Sequence, residues 1–116
     1  MADSAARRCT PFLLVLYPLL VPSRWTEETY PYRDIHAQVA AAARNAGLEV
    51  LDLTPAFGAS GREWRTWWGT SYDSHPGAEA QALAARTMAQ FIKDHRLLES
   101  GVARRDCSTR VAPGQQ

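Results

Sequence analysis

The hydrophobic pattern of this chain changes its period several times, and each change marks an element. "PFLLVLY", from Pro11 to Tyr17, is apolar without alternation. A strand at Phe12–Tyr17 therefore needs cover on both faces, as in a parallel sheet flanked by helices. Pro18 ends it, and Leu19–Trp25, punctuated by Pro22, reads as a loop. Thr26 has the chemistry of a helix N-cap, with Glu27 and Glu28 in a first turn where carboxylates oppose the positive end of the dipole. Pro31 either makes that turn irregular or moves the main helix start close to itself. From Tyr32 to Ala46 the period is helical, with Ile35, Val39, Ala42, Ala43 and Ala46 on one apolar stripe. Gly47 stops the helix. "LEVLDL" follows as a second strand, so the unit is strand–helix–strand and its strands are expected to be parallel.

Thr54 to Ser74 reads as a long irregular loop holding Gly58, Gly61, Gly69 and three tryptophans. A loop of that length is functional or disordered, and the tryptophans argue against disorder. Gly77 to about Arg96 has the pattern of another helix, with Ala80, Leu83, Ala84, Met88, Phe91 and Ile92 on its buried side. Met1–Thr10 reads as the end of a helix running into the first strand. The tail from 99 to 116, "ESGVARRDCSTRVAPGQQ", has few apolar residues and is expected to be disordered or loosely attached. There is no repeat, and residues 1–98 form one α/β unit. Two parallel strands with about three helices make a poor core, because both faces and both edges of the pair need cover. The pattern therefore reads as the second half of a larger, truncated sheet.

Composition narrows the function classes. At 116 residues the chain holds one small domain. Its 13 basic and 12 acidic side chains leave a net charge of +1, with no basic stripe interleaved with aromatics, so nothing argues for nucleic acid. Cys9 and Cys107 make neither a metal spacing nor a disulfide framework. His36, His75 and His95 share no metal-ligand spacing either, and no cofactor motif occurs. The run "RRCTPFLLVLYPLLVPS" has the charged start, apolar centre and small residues of a secretory signal. It is too short and too broken by Pro18 to span a bilayer. The strand reading is preferred, because the residues that follow continue the same α/β pattern. It favours a cytoplasmic chain; a signal peptide over residues 1–23 would make it secreted.

The residue with the clearest chemistry is His75. Asp73 lies two residues before it, and Pro76 and Gly77 follow at a helix start. A histidine in such a loop can project into a cleft at the carboxyl ends of the strands, where open α/β sheets bind ligands. Asp73 could hold one ring nitrogen and leave the other to take a proton from a nucleophile. The plainer alternative is a surface histidine with Asp73 capping the helix. Trp64, Trp67 and Trp68, with Arg62 and Arg65 beside them, could stack on a sugar ring; tryptophans in long loops more often anchor the loop. Asp52 reads as a cap for the turn at Thr54–Pro55. His36 reads as an exposed or helix-packing residue, and His95 as a favourable charge near a helix end.

The order of these pieces resembles the C-terminal half of the SGNH (GDSL-type) hydrolases. From about Pro11 to Ile92 the matching stretches are "LLVLYP", "DIHAQVAAAARNAGLEVLDLTPAF" and "DSHPGAEAQALAA". The resemblance implies a partial three-layer, flavodoxin-like α/β/α fold and hydrolysis of esters, with His75 matching the family's catalytic base. It implies no metal and no cofactor. In the family the Asp more commonly stands three residues before the His, a position held here by Tyr72. Either Asp73 or the Tyr72 carbonyl would then orient the imidazole. The Gly-Asp-Ser block and the "GxND"-type block that supply serine and oxyanion donors have no counterpart; the Asp3–Ser4 pair has no strand before it. Ser71 and Ser74 lie in the histidine's own loop and cannot stand across a cleft from it. The expectation is an ester hydrolase fragment that is inactive alone. An ester substrate, and association with itself or another chain, would follow on completion of the sheet by an N-terminal half. The alternative is a non-catalytic α/β binding or assembly module that uses its tryptophan-rich loop.

Overall fold

A computed structural model describes residues 10–99. The readings placed on the N-terminal helix end, on Asp3–Ser4, on Cys9 and Cys107, and on the tail beyond Glu99 lie outside those residues. Within them the chain forms β1 (Leu13–Leu16), α1 (Arg33–Asn45), β2 (Glu49–Asp52), α2 (Thr54–Ala59), a 3-10 turn (Trp64–Trp67), β3 (Trp68–Thr70), β4 (Asp73–Pro76) and α3 (Ala78–Asp94).

β1 and β2 pair in parallel, from Leu13 opposite Glu49 to Leu16 opposite Asp52. Alternation along the strands divides their side chains between two cores. On one face Leu14, Leu16 and Val50 meet Ala40 and Ala43 of α1. On the other, Leu13, Val15, Leu51 and Leu53 pack with Phe57, Trp67, and Ala80 and Ala84 of α3. The result is a small mixed α/β domain, a two-stranded parallel sheet with a helix against each face. No helix among the described residues is long and apolar enough to cross a membrane.

Three expectations need correction. The first concerns the inward face of α1. Ile35 and Val39 are 56% and 41% exposed, whereas His36, Ala40 and Ala43 (positions i, i+4 and i+7) turn to the sheet. Small side chains let the helix approach Val50 closely, so closeness of packing rather than side-chain hydrophobicity chose the face. The second concerns Thr26, which caps no helix. Its hydroxyl bonds the Glu28 carboxylate at 2.6 Å and its N–H donates to Thr29 Oγ1 at 2.7 Å, closing a turn, and α1 starts only after Pro31. The third concerns the stretch from Thr54 to Ser74, which is mostly structured. Pro55 sits in the first turn of α2, where it has no N–H to waste, and Gly58 lies against the backbone of Thr26 and Glu27. Phe57 and Trp67 then meet edge to face, ring centres 4.9 Å apart, and pin this stretch to the core.

The ends of the longer elements follow the sequence closely. Gly47 takes a φ of 79°, the left-handed region, which lets the Gly47 and Leu48 N–H groups reach the carbonyls of Arg44 and Ala43. The chain then turns directly into β2.

Candidate active site

His75 is carried by β4, the second strand of a short antiparallel hairpin. Thr70 faces Asp73 and Trp68 faces Pro76, with a bulge between, and Ser71 and Tyr72 form the tip. Two backbone contacts fix the hairpin at the start of α3. The Gly77 N–H donates to the Trp67 carbonyl at 2.8 Å, and Gly77 itself lies flat on the Trp68 peptide. A Cβ at position 77 would stand 2.5 Å from the Trp68 carbonyl oxygen, so only glycine lets the strand and the helix start come this close.

Asp73 and His75 are joined locally. Asp73 Oδ1 accepts from the His75 backbone N–H at 3.0 Å and lies 2.5 Å from His75 Nδ1. This is an Asx-type turn, in which a short carboxylate folds back on the residue two positions ahead and takes its ring as well. The backbone N–H first, and the ring second, hold the Asp73 carboxyl below its ordinary value. With Nδ1 occupied, Nε2 is the nitrogen left to exchange protons, and it has no partner among the described residues. Both side chains are open to solvent: 89% of the His75 side chain and 51% of Asp73 is exposed. No serine, threonine or cysteine among the described residues makes a hydrogen bond to the ring. Tyr72 points away from any cover, 98% exposed.

A second histidine–aspartate pair was not legible in the sequence as a pair. His36 of α1 and Asp52 at the carboxyl end of β2 meet through His36 Nδ1, 3.1 Å from both carboxylate oxygens. Asp52 also accepts the Thr54 N–H at 2.8 Å, which is the turn cap read for it. The Thr54 hydroxyl lies 3.2 Å from the same His36 nitrogen. That geometry rules out a triad. A base needs its orienter on one nitrogen and its nucleophile on the other, whereas Asp52 and Thr54 share Nδ1. The cluster is a clamp that ties α1 to the β2–α2 corner, with the Tyr30 and imidazole rings edge to face, centres 5.1 Å apart. The signal for it is the spacing of His36 with Ala40 and Ala43, which a hydrophobic stripe through Ile35 hides.

The three tryptophans divide their roles. Trp67 is 5% exposed and belongs to the core; Trp68 packs against that core and donates its indole N–H to the Leu20 carbonyl at 2.8 Å. Trp64 lies against Trp68 with ring centres 4.5 Å apart, and the Arg65 guanidinium sits 4.2 Å above it. Trp64 and Trp67 wall a cavity of about 250 Å³ together with Trp25 and Phe57; Trp68 does not line it. Of the three side chains offered as sugar contacts, Trp68 is an anchor and Trp67 shows the cavity only a small part of its surface. No group of three or more metal-ligating side chains occurs among the described residues. His95 stacks on Phe91 near the end of α3 and takes no part in the site.

Comparison of the chain with protein-family models, with curated proteins and with solved structures found no match.

Proposed function

We propose that this chain is the base-bearing, C-terminal part of an SGNH-type ester hydrolase and that it is inactive until a second polypeptide segment completes the sheet. The observation that carries this reading is the state of His75: Nδ1 is held by Asp73, Nε2 has no partner among the described residues, and the ring stands in solvent on an anchored hairpin. A general base requires an oriented ring with one free nitrogen. In a finished active site that nitrogen faces a serine, and the missing cover over His75 is what an absent nucleophile segment would leave.

Two further features support incompleteness. β1 is apolar throughout yet none of its four residues is fully buried, while the apolar stripe of Ile35 and Val39 on α1 lies exposed. In a flavodoxin-like, three-layer sheet, further strands would continue beyond β1 and the α1 stripe would gain a neighbour. In this reading His75 Nε2 takes the serine proton as the hydroxyl attacks the ester carbonyl, then returns it to the leaving alcohol. Asp73 keeps the ring turned and stabilises the imidazolium. The serine and the oxyanion donors come from the other segment.

The chain alone should hydrolyse p-nitrophenyl acetate no faster than free imidazole at equal concentration. DNA upstream of Met1 should encode a "GDS" and a "GxND" block, in frame or displaced. Joining that segment to this chain should give turnover that falls by about 10²–10⁴ in His75→Ala. Turnover by the chain alone that His75→Ala abolishes would overturn the claim of inactivity. A joined, folded protein whose turnover ignores His75→Ala would overturn the base assignment.

A further inference from the structure

We infer that the groove between α3 and β2 is a self-association surface, which seats α3 of a second copy of this chain in antiparallel register about Gln90. The inference does not rest on the hydrolase reading. The groove takes its residues from α3 and β2 and none from β1, the strand that reading leaves for a completing segment.

α3 turns Ala80 and Ala84 into the core. A second stripe of the same helix, Leu83, Thr87 and Phe91, is only half-buried, and with Leu51 of β2 it gives the groove its apolar part. Three exposed side chains of α3 line the groove as well: Arg86, Gln90 and Asp94.

The two charges of this set are unpaired within the chain. α3 carries two carboxylates, Glu79 and Asp94, and Glu79 is bonded to Arg62 at 2.8 Å. The helix neighbours of Arg86 one turn away are Ala82, Leu83, Ala89 and Gln90, none of them acidic. Arg86 forms no ion pair among the described residues. Asp94 accepts from Gln90 Nε2 at 2.7 Å and has no cationic partner among the described residues.

Their placement is symmetric. Arg86 and Asp94 stand equally far before and after Gln90, each about 6 Å along the helix axis and about 40° around it. When a second α3 is turned end for end about a two-fold axis through Gln90, Arg86 meets Asp94 of the copy and Asp94 meets its Arg86. An isologous contact repeats every pairing, so this register makes two ion pairs and brings the two half-buried stripes together. The parallel register would set Arg86 against Arg86.

Other occupants fit less well. Small-molecule sites enclose most of their ligand, whereas this groove is open along its length. A polyanion or a polycation meets one attractive and one repelling charge on the stripe. The partner required presents a cation and a carboxylate on one helix face, in the reverse order and at the same spacing, as a second copy does. A net charge of +1 leaves two copies almost without mutual repulsion. Gly77, where the His75 hairpin joins α3, lies about 20 Å along the axis from Gln90, so the two hairpins stand roughly 40 Å apart. The candidate sites of the pair stay separate and open.

The test is sedimentation equilibrium of the full chain, shown folded by circular dichroism, from about 10 µM to about 1 mM. Three helical turns from each copy fall below the about 1,200 Å² of stable interfaces, so the dimer should dissociate with a constant on the order of 100 µM. Arg86→Glu and Asp94→Arg each set like charges opposite one another at both ends, and each should weaken the dimer at least about tenfold. The two together reverse both pairs and should restore the parent constant to within about threefold. The two positions lie about 12 Å apart within one helix, so the rescue reads contact between copies. Should either swap unfold the chain, Arg86→Gln and Asp94→Asn take its place, each expected to weaken the dimer by about threefold. A monomer throughout the range, a dimer indifferent to the charge variants, or a loss that the double swap does not restore would overturn the inference.

Discussion

Replacing Gly77 by alanine should destabilise the chain, and the sign of the effect is diagnostic. The backbone at Gly77 has φ −79° and ψ −175°, an extended conformation that alanine adopts without strain. Judged on conformation alone, the substitution should stabilise by about 0.4–1 kcal/mol, because alanine restricts the unfolded chain. Packing opposes this. The new Cβ would lie 2.5 Å from the Trp68 carbonyl oxygen, 2.9 Å from its carbon and 3.1 Å from the Gly69 Cα. All three are backbone atoms, so no side chain can rotate aside, and relief requires moving β3 away from the start of α3. That movement stretches the Gly77 N–H bond to the Trp67 carbonyl. Overpacking of this kind costs about 1–3 kcal/mol, which exceeds the entropic gain and leaves a net loss of about 1–2 kcal/mol. In a domain of this size that lowers the melting temperature by about 4–16 °C. Thermal and urea unfolding followed by circular dichroism measure it, and the amide signals of Trp68 and His75 should shift with it. A variant more stable than the parent would refute the packing argument and, with it, the account of how the hairpin is held.

Two other expectations follow from the same geometry. Asp73 should titrate below 3.8, its ordinary value, because the His75 N–H and ring favour its charged form. Its contribution to holding the hairpin is then complete above that ordinary value and is lost as pH falls through the lower folded value. The carboxyl carbon shift of Asp73 against pH reads this directly, and a midpoint at or above 3.8 would remove the Asx-type lock. On α1, Ile35→Glu and Val39→Glu should each change the stability of the chain by no more than about 0.5 kcal/mol, since both side chains are exposed. Ala40→Glu should unfold it, by burying a carboxylate against Val50. Equal damage at Val39 and Ala40 in urea titrations would mean that the helix is turned otherwise.

What could be read from the sequence, and what could not, divides along the range of the forces involved. β1, α1, β2 and α3 have long or uniform patterns whose ends carry proline or glycine, and local sterics decide where they stop. The stretch from Thr54 to Ser74 has no such pattern. α2 is six residues long, "TPAFGA", too short for a period to show, and β3 is three residues, "WGT". The hairpin tip, Ser71–Tyr72, lacks the asparagine and glycine that usually announce a two-residue turn. These elements owe their form to Phe57, Trp67 and Gly77 docking on the core, which is tertiary information. The site shows the same division. The contact of Asp73 with His75 is local and was visible in a spacing of two. The clamp of His36 with Asp52 joins residues 16 apart across a helix and a strand; the helical spacing of His36 with Ala40 and Ala43 gives the face of α1 that His36 lies on, but not its partner.

The burial of the two strands bears on the proposed incompleteness of the domain. β2 has two buried residues, Val50 and Leu51, whereas β1, its equal partner and the more apolar of the two, has none. Among the described residues each strand of the pair has one unpaired edge, and the side chains of β1 are the less buried of the two. Sheets hide such an edge with charge, proline or a bulge, and "LLVL" has none of these. A strand so composed has the character of an interior strand left at an edge. On the proposed reading, a segment that pairs with β1 would bury Leu13 to Leu16 and extend the layer beyond them. A segment delivering a serine to His75 Nε2 is the other requirement. One polypeptide that meets both would make the surplus apolar residues of β1 and the idle, oriented imidazole consequences of the same absence.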